Sequence, residues 1–204
     1  MLYGDAKTLI QALNTGATNP DSINLICKLV LGKMARRKLR DRVKLAEITT
    51  SGLTTLNLKT LLPDYFDLKI TIDNNKPKSV YYYQGDIPIY LDLVNFTEFN
   101  EYISGGYVSV NGREINISVP FGQEVPSKIY FPYYSFYMVL DKDGSTEKET
   151  PVDNDDLLLF PSVFDDVFID GVLLYLSRRE KQDAEYTKNV QEWEKRLNDL
   201  SFYN

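Results

Sequence analysis

The period of the apolar residues changes twice along this 204-residue chain, and nothing else in it constrains the fold as strongly. Near the N-terminus apolar side chains recur at three and four residues, the mark of helices. From about residue 49 to 140 apolar and polar residues alternate, the mark of strands, and from Pro161 onward the helical spacing returns. The predicted order is therefore two helices, a run of strands, and two helices. With helices at both ends, one helical layer can be built from chain ends that meet. The expected fold is α+β: a four-helix layer formed by the N- and C-terminal helix pairs, with an inserted antiparallel β module. The expected division is a helical domain of residues 1–48 and 155–204 and an inserted β domain, 49–154, that includes an acidic linker.

Local signals refine this. "DAKTLIQAL" reads as a short helix with Leu9, Ile10 and Leu13 on one face and Asp5 as its cap. Asn19-Pro20 is a cap followed by a first-turn proline, and opens a second helix. Its apolar positions Ile23, Ile26, Val30 and Met34, continued by Leu39, Val43 and Ala46, carry it to about Ala46. A helix of that length spans roughly 40 Å and would project beyond a small core. In the β region, "YVSVNGREINISV" reads as a hairpin about Asn111-Gly112. Pro132 places "KIYFPYYSFYMVL" at an edge or a bulge. "NFTEFNEYISGG" reads as a helical turn and a loop. At the C-terminal end, Phe164, Phe168, Gly171 and Tyr175 share a helix face. Asp183 caps a last helix whose Tyr186, Val190, Trp193, Leu197 and Leu200 form a heptad-like seam. Glycine within a helix costs about 1 kcal/mol relative to Ala, so Gly171 marks a close crossing.

Composition removes most enzyme chemistry. There is no histidine, hence no Ser-His or Cys-His pair and no imidazole base or metal ligand. The single Cys27 lies in the apolar pattern "INLICKLV" and reads as a buried, inert thiol. Asp153, Asp155, Asp156, Asp165, Asp166 and Asp170 cluster without the spacing of a calcium loop, and read as loop solubility and helix N-terminal charge. The glycines of "ISGGYVSVNG" lack the strand and helix context of a phosphate loop. No catalytic, metal or cofactor residue is expected, and no membrane span. A signal peptide is not expected either, since Asp5 stands where its basic flank and apolar run would be.

Charge is unevenly placed. The net charge is −6, yet residues 28–44 hold eight of the 23 basic residues. Lys33, Arg36, Arg37 and Arg40 within this run are candidates for a protein interface, or alternatively for phosphate contacts along a basic helix 33–44. Arg178 and Arg179 at the C-terminal helix turnover, and Phe202 and Tyr203 at the tail, are further interface candidates. The aromatic stretches "YYYQGDIPIY" and "YFPYYSFY" lack interleaved Lys or Arg and read as sheet core or interface aromatics.

Four stretches follow one another along nearly the whole chain: "NPDSINLICKLVLGKMARRKLR", the Leu62-Pro63-Asp64 turn with "LLPDYFDLKITI", "EINISVPFGQEVPSKIYFPYYSFY", and the closing hairpin from Pro161. In these residues, their order and its length the chain resembles the head-to-tail adaptor (connector) proteins of tailed bacteriophages. Leu31-Gly32 departs from the family, where many relatives carry Asn and an aromatic. The resemblance implies a non-enzymatic virion protein, assembled in the host bacterial cytoplasm and arranged as a homo-oligomeric, twelve-fold ring at the head-tail junction. Its implied partners are the portal protein above and tail or further neck proteins below, with genomic DNA passing through without specific binding. Another neck component, a head-completion or tail-terminator protein, is the neighbouring alternative.

Overall fold

A computed structural model describes residues 1–14, 19–37, 39, 42–73, 76–95, 97, 106–119, 123–177 and 183–202, with the backbone alone at 73, 76, 183 and 200–202. The chain divides into two compact units, one of Met1–Arg42 with Ser135–Asn204, the other of Val43–Tyr134. In chain order the elements are α1 (Tyr3–Leu13), α2 (Pro20–Ala35), β1 (Val43–Thr49), β2 (Thr55–Asn57), α3 (Leu58–Leu61), β3 (Tyr65–Leu68), β4 (Thr71–Asp73), β5 (Lys76–Gln84) and β6 (Ile87–Leu93). There follow β7 (Tyr107–Asn111), β8 (Glu114–Ser118), β9 (Lys128–Ser135), β10 (Val139–Leu140), β11 (Glu147–Lys148), β12 (Leu157–Leu158), α4 (Asp165–Leu176) and α5 (Asp183–Phe202).

This corrects the expected four-helix layer with a small inserted antiparallel module. The molecule is a mixed α+β fold whose largest element is a curled nine-stranded sheet. The sheet contains a parallel pair, β6 with β7, so it is not purely antiparallel. Within the stretch expected to be an acidic linker lies β11, and at its end β12; both pair with β10, which precedes it, in a second, three-stranded sheet of order β11-β10-β12.

In the first unit α4 is the central helix, packed on α1, α2 and α5. Its buried Val167, Phe168, Ile169 and Val172 share one core with Tyr3, Ala6 and Ile10 of α1, and with Ile23, Cys27, Val30, Leu31 and Met34 of α2. Trp193 and Leu197 of α5 complete it from the other side. Asn19 caps α2 as expected, its side chain accepting from the Asp21 N–H at 3.0 Å with Pro20 in the first turn. Cys27 is buried, and burial pushes its thiol up to about 11. In α1, Leu9 and Leu13 are exposed, and Asp5 lies inside the first turn instead of capping it. The free N–H groups of Tyr3 and Gly4 are taken by the carbonyls of Asp156 and Asn154, both at 2.8 Å.

Helix α2 ends at Ala35, and residues 43–46, expected to be its last turn, belong to β1. From Lys44 to Thr49 exposure alternates, Leu45, Glu47 and Thr49 being exposed and Lys44, Ala46 and Ile48 more buried, and β1 pairs with β9 along its whole length, from Val43↔Tyr134 to Thr49↔Lys128. A seven-residue ladder outweighs the small helix preference of Lys, Leu, Ala and Glu. The second unit has its own core, built from Ile48, Val80, Leu91, Val108, Ile115, Ile117, Ile129, Phe131 and Tyr133. Its expected hairpin at Asn111-Gly112 is present, with Asn111↔Glu114 as the closing pair and positive φ at Gly112.

Pro132 sits neither at an edge nor at a bulge of the β1–β9 ladder. β9 runs between β1 and β5, and β3 also pairs with it. The Pro132 carbonyl accepts from Lys69 N–H at 3.0 Å, and in an antiparallel strand a residue's N and C=O point the same way. The missing donor of Pro132 thus faces the side where β3 replaces β5 as neighbour, and it removes no bond to β1.

Candidate functional site

Strand β5 carries three consecutive tyrosines. Alternation sends Tyr81 and Tyr83 to one face of the sheet and Tyr82 to the other, where it packs on the core of the second unit. A two-residue turn at Gly85-Asp86, with φ +62° at Gly85, returns the chain as β6 and sets Tyr90 opposite Tyr81. On the other side of β5, Tyr130 of β9 pairs with Tyr81.

Four tyrosines from three strands therefore meet on one face. Tyr81 and Tyr130 stack at 5.2 Å with planes 12° apart. Tyr83 stands edge-on to both, at 5.7 Å from Tyr81 and 5.0 Å from Tyr130, and Tyr90 lies 5.2 Å from Tyr81. These are the offset and edge-to-face geometries that aromatic rings prefer. Tyr83 and Tyr90 remain 48% and 43% exposed, so the cluster is a surface and not a core. Leu45, paired with Pro132 and 57% exposed, extends the same face along β1.

The charges around this face are matched. The Glu47 carboxylate accepts from Lys128 Nζ at 2.5 Å and from the Tyr130 hydroxyl at 3.3 Å. The Lys128 ammonium holds the Glu47 carboxyl below its ordinary value, and Glu47 in turn raises Lys128. Partial burial and the neighbouring phenols raise Tyr81, and partial burial and Glu47 raise Tyr130, so both stay protonated near neutrality. Lys78 Nζ lies 5.9 Å from the Tyr90 ring, within cation–π range. The result is a broad, nearly neutral aromatic platform with hydroxyl groups able to donate or accept. Such a surface suits packing against another macromolecule.

The basic run does not lie on one helix, since α2 ends at Ala35. Lys33 donates to Glu194 of α5 at 2.6 Å and sits 5.7 Å from the Tyr175 ring, tying α2 to α5. The Glu194 hydrogen bond raises Lys33 despite partial desolvation. Arg36 is exposed at the C-cap of α2, and Arg37 is half-buried with an Nε that has no hydrogen-bond partner among the described residues. Arg42 is buried and paired with Glu147. Lys44 donates to the buried Asp64 at 2.6 Å, and Asp64 also accepts from the Tyr133 hydroxyl at 2.9 Å. Arg40, Arg178, Arg179 and Tyr203 lie outside the described residues, as does most of "NFTEFNEYISGG". Phe202 is the last residue of α5, and only its backbone is described.

The sequence reading treats "YYYQGDIPIY" and "YFPYYSFY" as two separate aromatic stretches. The pairing Tyr81↔Tyr130 joins them, and no local signal announces it; only the turn within the first stretch, Gln84-Gly85-Asp86-Ile87, which folds Tyr90 back beside Tyr81, is visible in the sequence. Among the described residues no helix is long and apolar enough to cross a membrane. No group of three or more His, Cys, Asp or Glu among them is placed to hold a metal ion. A scan against protein-family models finds no match, and no curated protein matches the chain.

Proposed function

We propose that this chain is a structural protein that joins other proteins, a head-to-tail adaptor subunit of a tailed bacteriophage virion, seated between the portal protein and the tail. The observation that supports this reading is the exposed tyrosine face of the nine-stranded sheet. Tyrosine buries a large, stiff surface at small entropic cost and keeps a polar tip, which is why it is enriched in protein interfaces. Four rings from three strands make up the face, and Glu47 and Lys128 beside them are matched to each other. Three members of the basic run are likewise matched to carboxylates, Lys33 to Glu194, Arg42 to Glu147 and Lys44 to Asp64. That pairing favours a protein partner over the phosphates of nucleic acid. In the adaptor reading the subunits form a homo-oligomeric ring through which DNA passes without specific binding, and the net acidic charge opposes its adhesion.

The test is co-expression with the portal protein of the same genome, followed by electron microscopy of the purified complex. A portal with an added ring of this chain is the expected result. Mass spectrometry of mature particles provides the opposing outcome: if the chain is missing from them, the assignment fails.

A further inference from the structure

We infer that the gap between β5 and β9 is a receptor for an extended polypeptide strand. The pairing of these two strands stops at Tyr81↔Tyr130. Beyond that pair they part, and a groove of about 620 Å3 opens between Tyr83 and Gln84 on one wall and Gln123, Glu124 and Lys128 on the other. Volumes of this size are typical of ligand-binding grooves.

Strand parity fixes what the walls offer. The two-residue turn makes Gln84↔Ile87 a hydrogen-bonded pair, so Tyr83↔Pro88 is a non-bonded one, and Pro88 has no N–H to give. The N–H and C=O of Tyr83 therefore face away from β6, into the gap. On β9, the Ser127 carbonyl accepts from Thr50 N–H on the β1 side, and the Pro132 carbonyl accepts from Lys69 on the other. Lys128 has the parity of Pro132, so its N–H and C=O also face the gap. Two strands thus present backbone donors and acceptors across a groove, with no strand between them among the described residues. A segment lying there pairs with both walls, and because β5 and β9 are antiparallel it runs antiparallel to one and parallel to the other.

Side chains specify the guest further. Its residues on the inner face meet Tyr82 and need to be apolar. Those on the outer face meet the Tyr83 and Tyr130 rings and Glu124. Lys128 is engaged by Glu47, which leaves Glu124 as the unmatched charge of the groove among the described residues. The guest is therefore a strand of alternating apolar and basic or hydroxyl residues, its cations over the tyrosine faces. This stands apart from the adaptor reading, and each can fail without the other.

The probe is a fluorescein-labelled, end-blocked peptide, Lys-Val-Thr-Val-Lys-Val-Thr, titrated with the full chain by fluorescence anisotropy. Saturable binding below about 1 mM is expected, weakened about ten-fold or more when the central Val and Lys amides are N-methylated, as for lost backbone hydrogen bonds. In the protein, Lys128→Ala retains the backbone donor, whereas Lys128→Pro removes it without breaking a bond to β1. The alanine variant is expected within about three-fold of the parent and the proline variant about ten-fold weaker. The methylated peptide needs no variant, so misfolding of Lys128→Pro leaves the test intact. Absence of saturable binding, indifference to N-methylation, or binding of a cello- or chito-oligosaccharide where the peptide fails would each overturn the proposal.

Discussion

Asp156 is one of six aspartates between positions 153 and 170, and the only one of them with no exposed surface. One carboxylate oxygen accepts from Lys148 Nζ at 2.7 Å, the other from the N–H groups of Val152 and Asp153 at 2.7 and 2.8 Å. These bonds close the loop whose carbonyls, at Asn154 and Asp156, receive the N-terminus of α1. Burial alone would raise this carboxyl, but Lys148 and the two amides outweigh it and its pKa is lowered from 3.8. Its contribution to stability is therefore complete above the unfolded-state pKa and is lost as pH falls through the lower folded one. Asp156→Asn is expected to cost about 2–4 kcal/mol at neutral pH in chemical denaturation, a little below the roughly 3–5 kcal/mol for breaking a fully buried charge pair because Lys148 is partly exposed. Repeated between about pH 5 and pH 2, the measurement should show a shallower loss for the variant than for the parent. In the sequence Asp156 looks like its neighbours Asp153 and Asp155, because what distinguishes it is a fold that buries one carboxylate beside Lys148. Asp64 belongs to the same class: legible as part of a Leu-Pro-Asp turn, but not as the buried acceptor of Lys44 and Tyr133.

Among the elements, the crossing of α4 and α5 is the most legible. A glycine inside an apolar helix and a tryptophan on a heptad-like seam point to close contact. A Cβ at Gly171 would lie 2.6 Å from Cζ2 of Trp193 and 2.9 Å from its Nε1. That Nε1 donates to the Val167 carbonyl at 2.7 Å, one turn before Gly171. Gly171→Ala should therefore destabilise the chain by about 1–3 kcal/mol through overpacking. Where Trp193 is replaced by Leu the obstacle is gone, and the same change should become neutral or stabilise by up to about 1 kcal/mol from helix preference. Urea unfolding of the four proteins of this cycle gives the coupling directly, and additivity would disprove the contact. The end of α2 was less legible, since Leu39, Val43 and Ala46 keep the helical spacing although Val43 and Ala46 lie on opposite faces of the strand they form. The decision came from β9, 81 residues away at Ile48↔Ile129, as a partner that no local window contains. The three-stranded sheet was hidden for a similar reason: its two-residue strands are too short to show a period.

Over the whole molecule, the two apolar cores share no residue. One draws on positions 3–39 and 138–197, the other on positions 48–133. The sequence showed a β region enclosed by helical ends, but it understated the sheet, because a short α3 and the glycine turns interrupt the alternation. A separate core predicts that residues 43–134, expressed alone, fold cooperatively with a β-type circular dichroism spectrum. Residues 1–42 alone should remain unfolded, because their buried face is completed by α4 and α5. A non-cooperative melt of the 43–134 fragment would count against this.

The first and last residues of that fragment, Val43 and Tyr134, are register partners on adjacent strands. Cross-strand partners lie about 5 Å apart, little more than one peptide step. The chain thus leaves the helical unit and re-enters it at nearly the same point, which is the condition for a cassette. Replacing residues 43–134 with a tight glycine turn, or with an unrelated domain whose ends lie equally close, asks nothing new of the geometry on either side. The helical unit is therefore a natural acceptor for grafted modules, with the Arg42–Val43 and Tyr134–Ser135 bonds as the splice sites.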